Sequence, residues 1–180
     1  MLLKLSRLFL RRPDYREVKN EDDFEFVINR CTAEAKDGHF SNIYSSSIPA
    51  IQKGLRHQMA CAVNDLPYPF EPGNPRQGTG ARLLILHRGR ERIGFLLLLE
   101  DMPGTWREKI EIHLISILPE HRNNSLGRHI VKDILKMTTA NEIYARCYAK
   151  SKAMIHILKS TGFTMTKISE IGTETLTLHR

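Results

Sequence analysis

With 180 residues and 20.7 kDa, the chain has the length of one ordinary domain. A composition of 41% hydrophobic and 26% charged residues excludes a disordered chain, a collagen-like fibre and a multi-span membrane protein. The formal charge of +7 points to an anionic partner. The three cysteines (Cys31, Cys61, Cys147) are too few and too scattered for a disulfide framework, and suit a reducing, cytoplasmic setting.

The opening segment, Met1 to Leu10, is apolar but broken by Lys4 and Arg7, and no small-residue cleavage site follows Arg11-Arg12-Pro13. Lys4, Arg7 and Arg11 share one face of a helical wheel. Residues 1–12 are therefore expected to form a basic amphipathic helix, ending before Pro13, that docks on the domain or lies on an anionic membrane surface. Residues 13–180 read as one domain without internal repeats.

A short strand is expected at Tyr15–Lys19. The acids of Asn20-Glu21-Asp22-Asp23 then suit the start of a helix running from Asp22 to Lys36, with Phe24, Val27, Ile28, Cys31 and Ala35 inward. A second helix, Ile48–Val63, carries Ile51, Leu55, Met59 and Ala62 at helical spacing. Asn64–Arg82 is a long loop rich in proline and glycine, a length more typical of lids and binding loops than of simple connections. Two strands, Leu83–His87 and Ile93–Glu100, make a hairpin around Arg88-Gly89-Arg90-Glu91.

The next strand, Lys109–Leu118, is expected to place Glu111, His113 and Ile115 on one side and Ile110, Ile112 and Leu114 on the other. A helix follows over Asn124–Met137, with Ile130, Ile134, Leu135 and Met137 inward. The chain closes with a strand at Glu142–Ala149, a helix at Lys152–Ser160 and strands at Thr164–Ser169 and Thr173–His179. This order predicts one mixed α/β sheet with helices on its faces.

Charge is unevenly placed along this map. From Arg122 to Lys167 there are nine lysines and arginines against Asp133 and Glu142. A ligand with several phosphates would be drawn there, whether a nucleotide cofactor or a nucleic acid. The eight histidines show no metal-ligand spacing with acids or cysteines, so no metal is expected.

The stretch Ile115-Ser116-Ile117-Leu118-Pro119-Glu120-His121-Arg122-Asn123-Asn124-Ser125-Leu126-Gly127-Arg128 runs from a hydrophobic strand through small polar residues into a basic helix. Free main-chain N–H groups at such a helix start, reinforced by its dipole, suit a pyrophosphate.

Here the sequence resembles the GNAT superfamily of acetyl-CoA-dependent N-acetyltransferases. Arg122-x-x-Ser125-x-Gly127 is similar to its Q/R-x-x-G-x-G/A signature, with Ser125 where the family has glycine. Ile117 to Arg122 is similar to its V-x-P-E-Y-R lead-in, and Ser151–Phe163 to its N-x-x-A/S segment, with Ser151 for Asn and Leu158 where Tyr is common. Ile93-Gly94-Phe95 is similar to the family's third strand.

The resemblance implies a mostly antiparallel sheet whose fourth and fifth strands splay apart to admit acetyl-CoA. The pantetheine arm would pair with main-chain groups of Ser116, Ile117 and Leu118. The pyrophosphate would rest on Arg122, Asn123, Asn124, Ser125, Leu126, Gly127 and Arg128, and Ser151 would hydrogen-bond the arm.

Acetyl transfer to an amine needs a base, oxyanion donors and a proton for the leaving thiolate. Glu111 is the first candidate base, by its spacing to Arg122 in the family, with a raised pKa in a dry cleft. His113 is the second. Tyr148, or Tyr144, would stand in for the missing tyrosine at Leu158, and a main-chain N–H near Ile117 would meet the oxyanion. The acceptor, whether a small molecule, a protein amine or an aminoacyl group on RNA, stays open, as does a homodimer. The alternative is a catalytically defective module of the same fold that binds RNA or an acidic partner.

Overall fold

The apolar run within Ile93–Leu99 forms the middle of the sheet, where a strand covered on both faces must be hydrophobic throughout. The computed structural model describes residues 12–69, 79–100 and 108–180. The strands are β1 (Asp14–Glu17), β2 (Ala81–Arg88), β3 (Glu91–Glu100), β4 (Lys109–Ile117), β5 (Glu142–Cys147), β6 (Thr164–Ile168) and β7 (Glu174–His179), and the helices are α1 (Glu21–Lys36), α2 (Pro49–Val63), α3 (Leu126–Met137) and α4 (Lys152–Ser160). The seven strands form one sheet in the order β1-β2-β3-β4-β5-β7-β6, antiparallel except where β4 meets β5. This is the mixed α/β architecture that the sequence predicts. The basic segment expected to form the first helix lies, but for Arg12, outside the described residues. Among the described residues no helix is long and apolar enough to cross a membrane.

Each face of the sheet has its own core. On one side α1 and α2 bury Val27, Cys31, Leu55 and Met59 against Ile85, Phe95, Leu97 and Leu99. On the other, α3 and α4 bury Ile130, Ile134, Ile155 and Leu158 against Leu96, Ile112, Ile143 and Leu176. Each fully buried large aliphatic or aromatic side chain contributes about 1.5–3 kcal/mol, so both cores are needed to hold the sheet. All three cysteines are buried and unpaired.

Local chemistry sets the helix ends. Asn20 caps α1 by accepting from the Asp23 N–H at 2.9 Å, while Asp23 accepts from the Lys19 N–H and from Arg92. Across the other face, the Tyr15 hydroxyl donates to Asp133 of α3 at 3.0 Å and ties the edge strand to that helix.

Two expectations on burial need correction. Met137, expected inward, is 49% exposed, because α3 ends there and its last residue passes beyond the sheet. The alternation expected along β4 fails at one residue. Leu97 pairs with Leu114 and Leu98 with Ile112, so His113 is an extra, bulged residue. The bulge reverses the faces. Ile115 and Ile117 join Ile110 and Ile112 on the α3/α4 side, while Leu114 joins the core under α1 and α2. Ile115 therefore does not share a face with Glu111.

Candidate active site

Strand β4 pairs with β5 only from Lys109↔Glu142 to Ile112↔Ala145. Beyond that the strands part. Residues 113–117 have no β5 partner, whereas β5 stays paired with β7 as far as Cys147. The gap opens at the bulge, which adds local twist just where the pairing ends. A cleft of about 790 Å³ runs through it, with α3 and α4 at one mouth and the segment after α1 at the other.

Main-chain groups on the parted edge are partly free. The Leu118 N–H donates to Ile93 O at 2.9 Å, and its carbonyl accepts from the His121 N–H. The Ser116 carbonyl is pressed against Gly94, where a side chain on β3 could not fit. By strand alternation the Ile117 groups then face the opening. Of the three residues expected to offer their main chain there, only Ile117 does so. Its carbonyl already accepts from Arg122 Nε at 2.8 Å.

The turn into α3 is built from left-handed residues. Asn123 has φ 62° and Ser125 has φ 58°. Asparagine tolerates this region, but serine does so at a cost that glycine would not incur. The first helical hydrogen bond after it is His129 N–H to Ser125 O, so the N–H groups of residues 126–128 have no partner within the helix. Gly127 lets this turn approach α4: a Cβ there would lie 3.0 Å from Ile157 Cδ1. Arg122, Asn123, Ser125, Leu126, Gly127 and Ser151 all line the cleft, whereas Asn124 and Arg128 do not. The Ser151 hydroxyl lies 3.4 Å from His39 O, so it already faces the segment after α1. A pyrophosphate fits this arrangement: unpaired N–H groups, the positive end of a twelve-residue helix and a wall free of acids between Arg122 and Arg128.

Arg122 points elsewhere than expected. Its guanidinium turns toward α1 and ion-pairs with Glu34, which also holds Arg30 and accepts from the Ser116 hydroxyl at 2.8 Å. Glu34 is 3% exposed. Sequence reasoning missed it, although the signal was present: at positions 27, 31 and 34 it shares the apolar stripe of α1, and an acid in that phase must be paired.

Glu111, His113 and Tyr148, expected to be catalytic, all line the cleft. The Glu111 side chain is 2% exposed, and it accepts from His113 Nδ1 at 2.9 Å, from the Tyr144 hydroxyl at 3.0 Å and from Arg146 Nε and Nη2 at 3.0 and 2.8 Å. Burial alone would push its carboxyl up. The hydrogen bond and charge of His113, then those of Arg146, outweigh burial and hold the group at about 2, contrary to the raised value expected. The sequence hid this because Arg146 lies on another strand, two residues beyond the partner of Glu111. The His113 ring meets the edge of buried Tyr68, their centroids 6.1 Å apart. Tyr44 and Gln58 complete that end of the cleft.

The comparisons agree with this geometry. Similar solved structures include an acetyltransferase from Thermus thermophilus (19% identity, TM-score 0.63, covering 95% of this chain and 99% of that one). Another is the spermidine N-acetyltransferase from Vibrio cholerae in complex with CoA and spermine (14% identity, TM-score 0.65, coverage 93% and 95%). A third is the PaiA N-acetyltransferase from Thermoplasma acidophilum in complex with coenzyme A (14% identity, TM-score 0.62, coverage 94% and 100%). Among curated proteins no sequence matches it. The family model for the acetyltransferase (GNAT) family matches residues 52–163, more than half of the sequence, taking in the parted strands and the turn into α3. The chain thus belongs to the GNAT acetyltransferase family.

Proposed function

We propose that the protein transfers an acetyl group from acetyl-CoA to a primary amine by direct attack. The observation that carries this reading is the parting of β4 from β5 after Ile112 and Ala145, with unpaired helix N–H groups at the mouth of the gap. Two of the similar structures are described as complexes with CoA, which supports the same donor. Residues 126–128 would hold the pyrophosphate, the second lone pair of the Ile117 carbonyl would accept from the pantetheine arm beside Arg122, and Ser151 would hydrogen-bond the arm.

Within the cleft the base is best assigned to His113. Its Nδ1 is fixed by Glu111, which leaves Nε2 to accept a proton from the substrate ammonium before attack or from the amine as it attacks. Glu111, held at about 2 by its neighbours, is a weak base and acts as a positioning residue for the imidazole. The Ile117 N–H is directed at the opening and would meet the oxyanion. Tyr148, half-buried just past the end of β5, supplies a hydroxyl on the parted edge to protonate the thiolate.

Calorimetric titration with acetyl-CoA tests the donor. Binding in the micromolar range is expected, and its absence at millimolar concentration overturns the proposal. Release of CoA in the presence of amines tests the transfer.

A further inference from the structure

Beyond the donor lies the question of what the amine carries. The sheet face opposite α3 and α4 is covered by α1 and α2 over β2, β3 and Leu114 of β4. Past β5 this face presents polar side chains to the cleft. Register places Arg146 of β5, Thr175 of β7 and Lys167 of β6 side by side on it, across two strand spacings of about 5 Å each. All three line the cleft, together with Lys150.

Two carboxylates line the cleft among the described residues, and both are already paired. Glu34 is held by Arg30 and Arg122, and Glu111 by Arg146 and His113. Glu174 belongs to the opposite face, paired with Lys159 of α4. Among the described residues of the cleft, an amine bearing further positive charges would find no carboxylate that is not already paired.

The geometry also fixes a spacing. Arg146 Nη2 and His113 Nδ1 each lie one hydrogen bond from the same oxygen, Glu111 Oε1, and so are within about 6 Å of each other. Arg146 spends Nε and Nη2 on Glu111, yet 49% of its side chain is exposed, with Nη1 turned from the carboxylate. An anion docked on this edge, with Lys167 as its second counter-charge, stands a few bonds away from an amine facing His113.

We infer that the acceptor is a primary amine carrying a carboxylate or phosphate on a short arm, gripped by Arg146 and Lys167, rather than a polyamine. This rests on the proposed acetyl transfer, and the test separates the two. With saturating acetyl-CoA, CoA release is measured for matched pairs: amino acids against their amides, and a phosphorylated amino sugar against the unphosphorylated sugar, with spermidine as the cationic comparison. One anionic member should exceed its neutral partner at least tenfold in kcat/KM, and which pair responds tells carboxylate from phosphate. Lys167→Glu should cut that ratio about fivefold through KM, as expected for reversing one screened charge. Equal use of both members of every pair, preference for spermidine, or a ratio indifferent to Lys167→Glu overturns the inference. If calorimetry shows no acetyl-CoA binding, the transfer reading falls and this one with it. Acetyl-CoA binding combined with a cationic preference removes this inference alone.

Discussion

Glu111→Gln separates two roles that a buried carboxylate beside a histidine can play. The native carboxyl ordinarily titrates at 4.5 and is held at about 2 in the fold. A depressed folded value stabilises the protein above the unfolded value and loses that stabilisation as pH falls toward the folded one. The shift corresponds to on the order of 3 kcal/mol at pH 7; because Arg146 is half-exposed and water can replace part of its contact, the loss on substitution should be about 2–3 kcal/mol. In a chain of this size that lowers Tm by roughly 5–12 °C. Urea unfolding of wild type and variant at pH 7, 5 and 3 should show the gap nearly intact at pH 5 and less than half as large at pH 3. A constant gap across that range, or none at pH 7, refutes the reasoning. The same variant addresses catalysis. If His113 is the base, Glu111→Gln lowers kcat about tenfold or more but keeps the acid limb of the kcat/KM profile, whereas His113→Ala removes that limb. Loss of the limb in Glu111→Gln would return the base to the glutamate.

Three further substitutions probe the frame of the site. Ser125→Gly relieves a left-handed φ of 58° and should raise stability by about 0.5–1 kcal/mol, read as a Tm gain of a few degrees; a loss would show that the hydroxyl makes up for the backbone cost. Gly127→Val drives a side chain into Ile157 and should cost about 1–3 kcal/mol and weaken acetyl-CoA binding in calorimetry; unchanged affinity would mean that the approach of α3 to α4 does not shape the anion site. Tyr15→Phe removes a hydrogen bond to the buried Asp133 and should cost about 1–2 kcal/mol in the urea midpoint, with CoA release unaffected, because β1 lies far along the sheet from the cleft.

Much of this architecture was legible because periodicity and punctuation agree. The hairpin around Gly89, the helix over Lys152–Ser160 and the stop at Pro119 carry local signals that no distant contact overrides. The family motif located the turn into α3 and the strands that part. What the sequence concealed is non-local. Nothing near Glu111 announces Arg146, which reaches it from the next strand, and nothing near Arg122 announces Glu34, which lies 88 residues earlier. The bulge at His113 was equally hidden, because β-branched and aliphatic residues fill both phases of that strand and either register satisfies the pattern.

That single surplus residue has a consequence for how β4 can change. Before it, even-numbered positions look toward α3; after it, odd-numbered ones do. One strand thereby divides its labour: its first half pairs with β5 and turns the Glu111 carboxylate into the cleft, and its second half runs past the cleft without a β5 partner. Swapping side chains here would adjust the chemistry by degrees. Removing His113 would instead close the bulge, because Ile112 and Leu114 already pair with the consecutive residues Leu98 and Leu97; Ile115 and Ile117 would keep their faces, while the imidazole and the extra twist where β4 leaves β5 would both be lost.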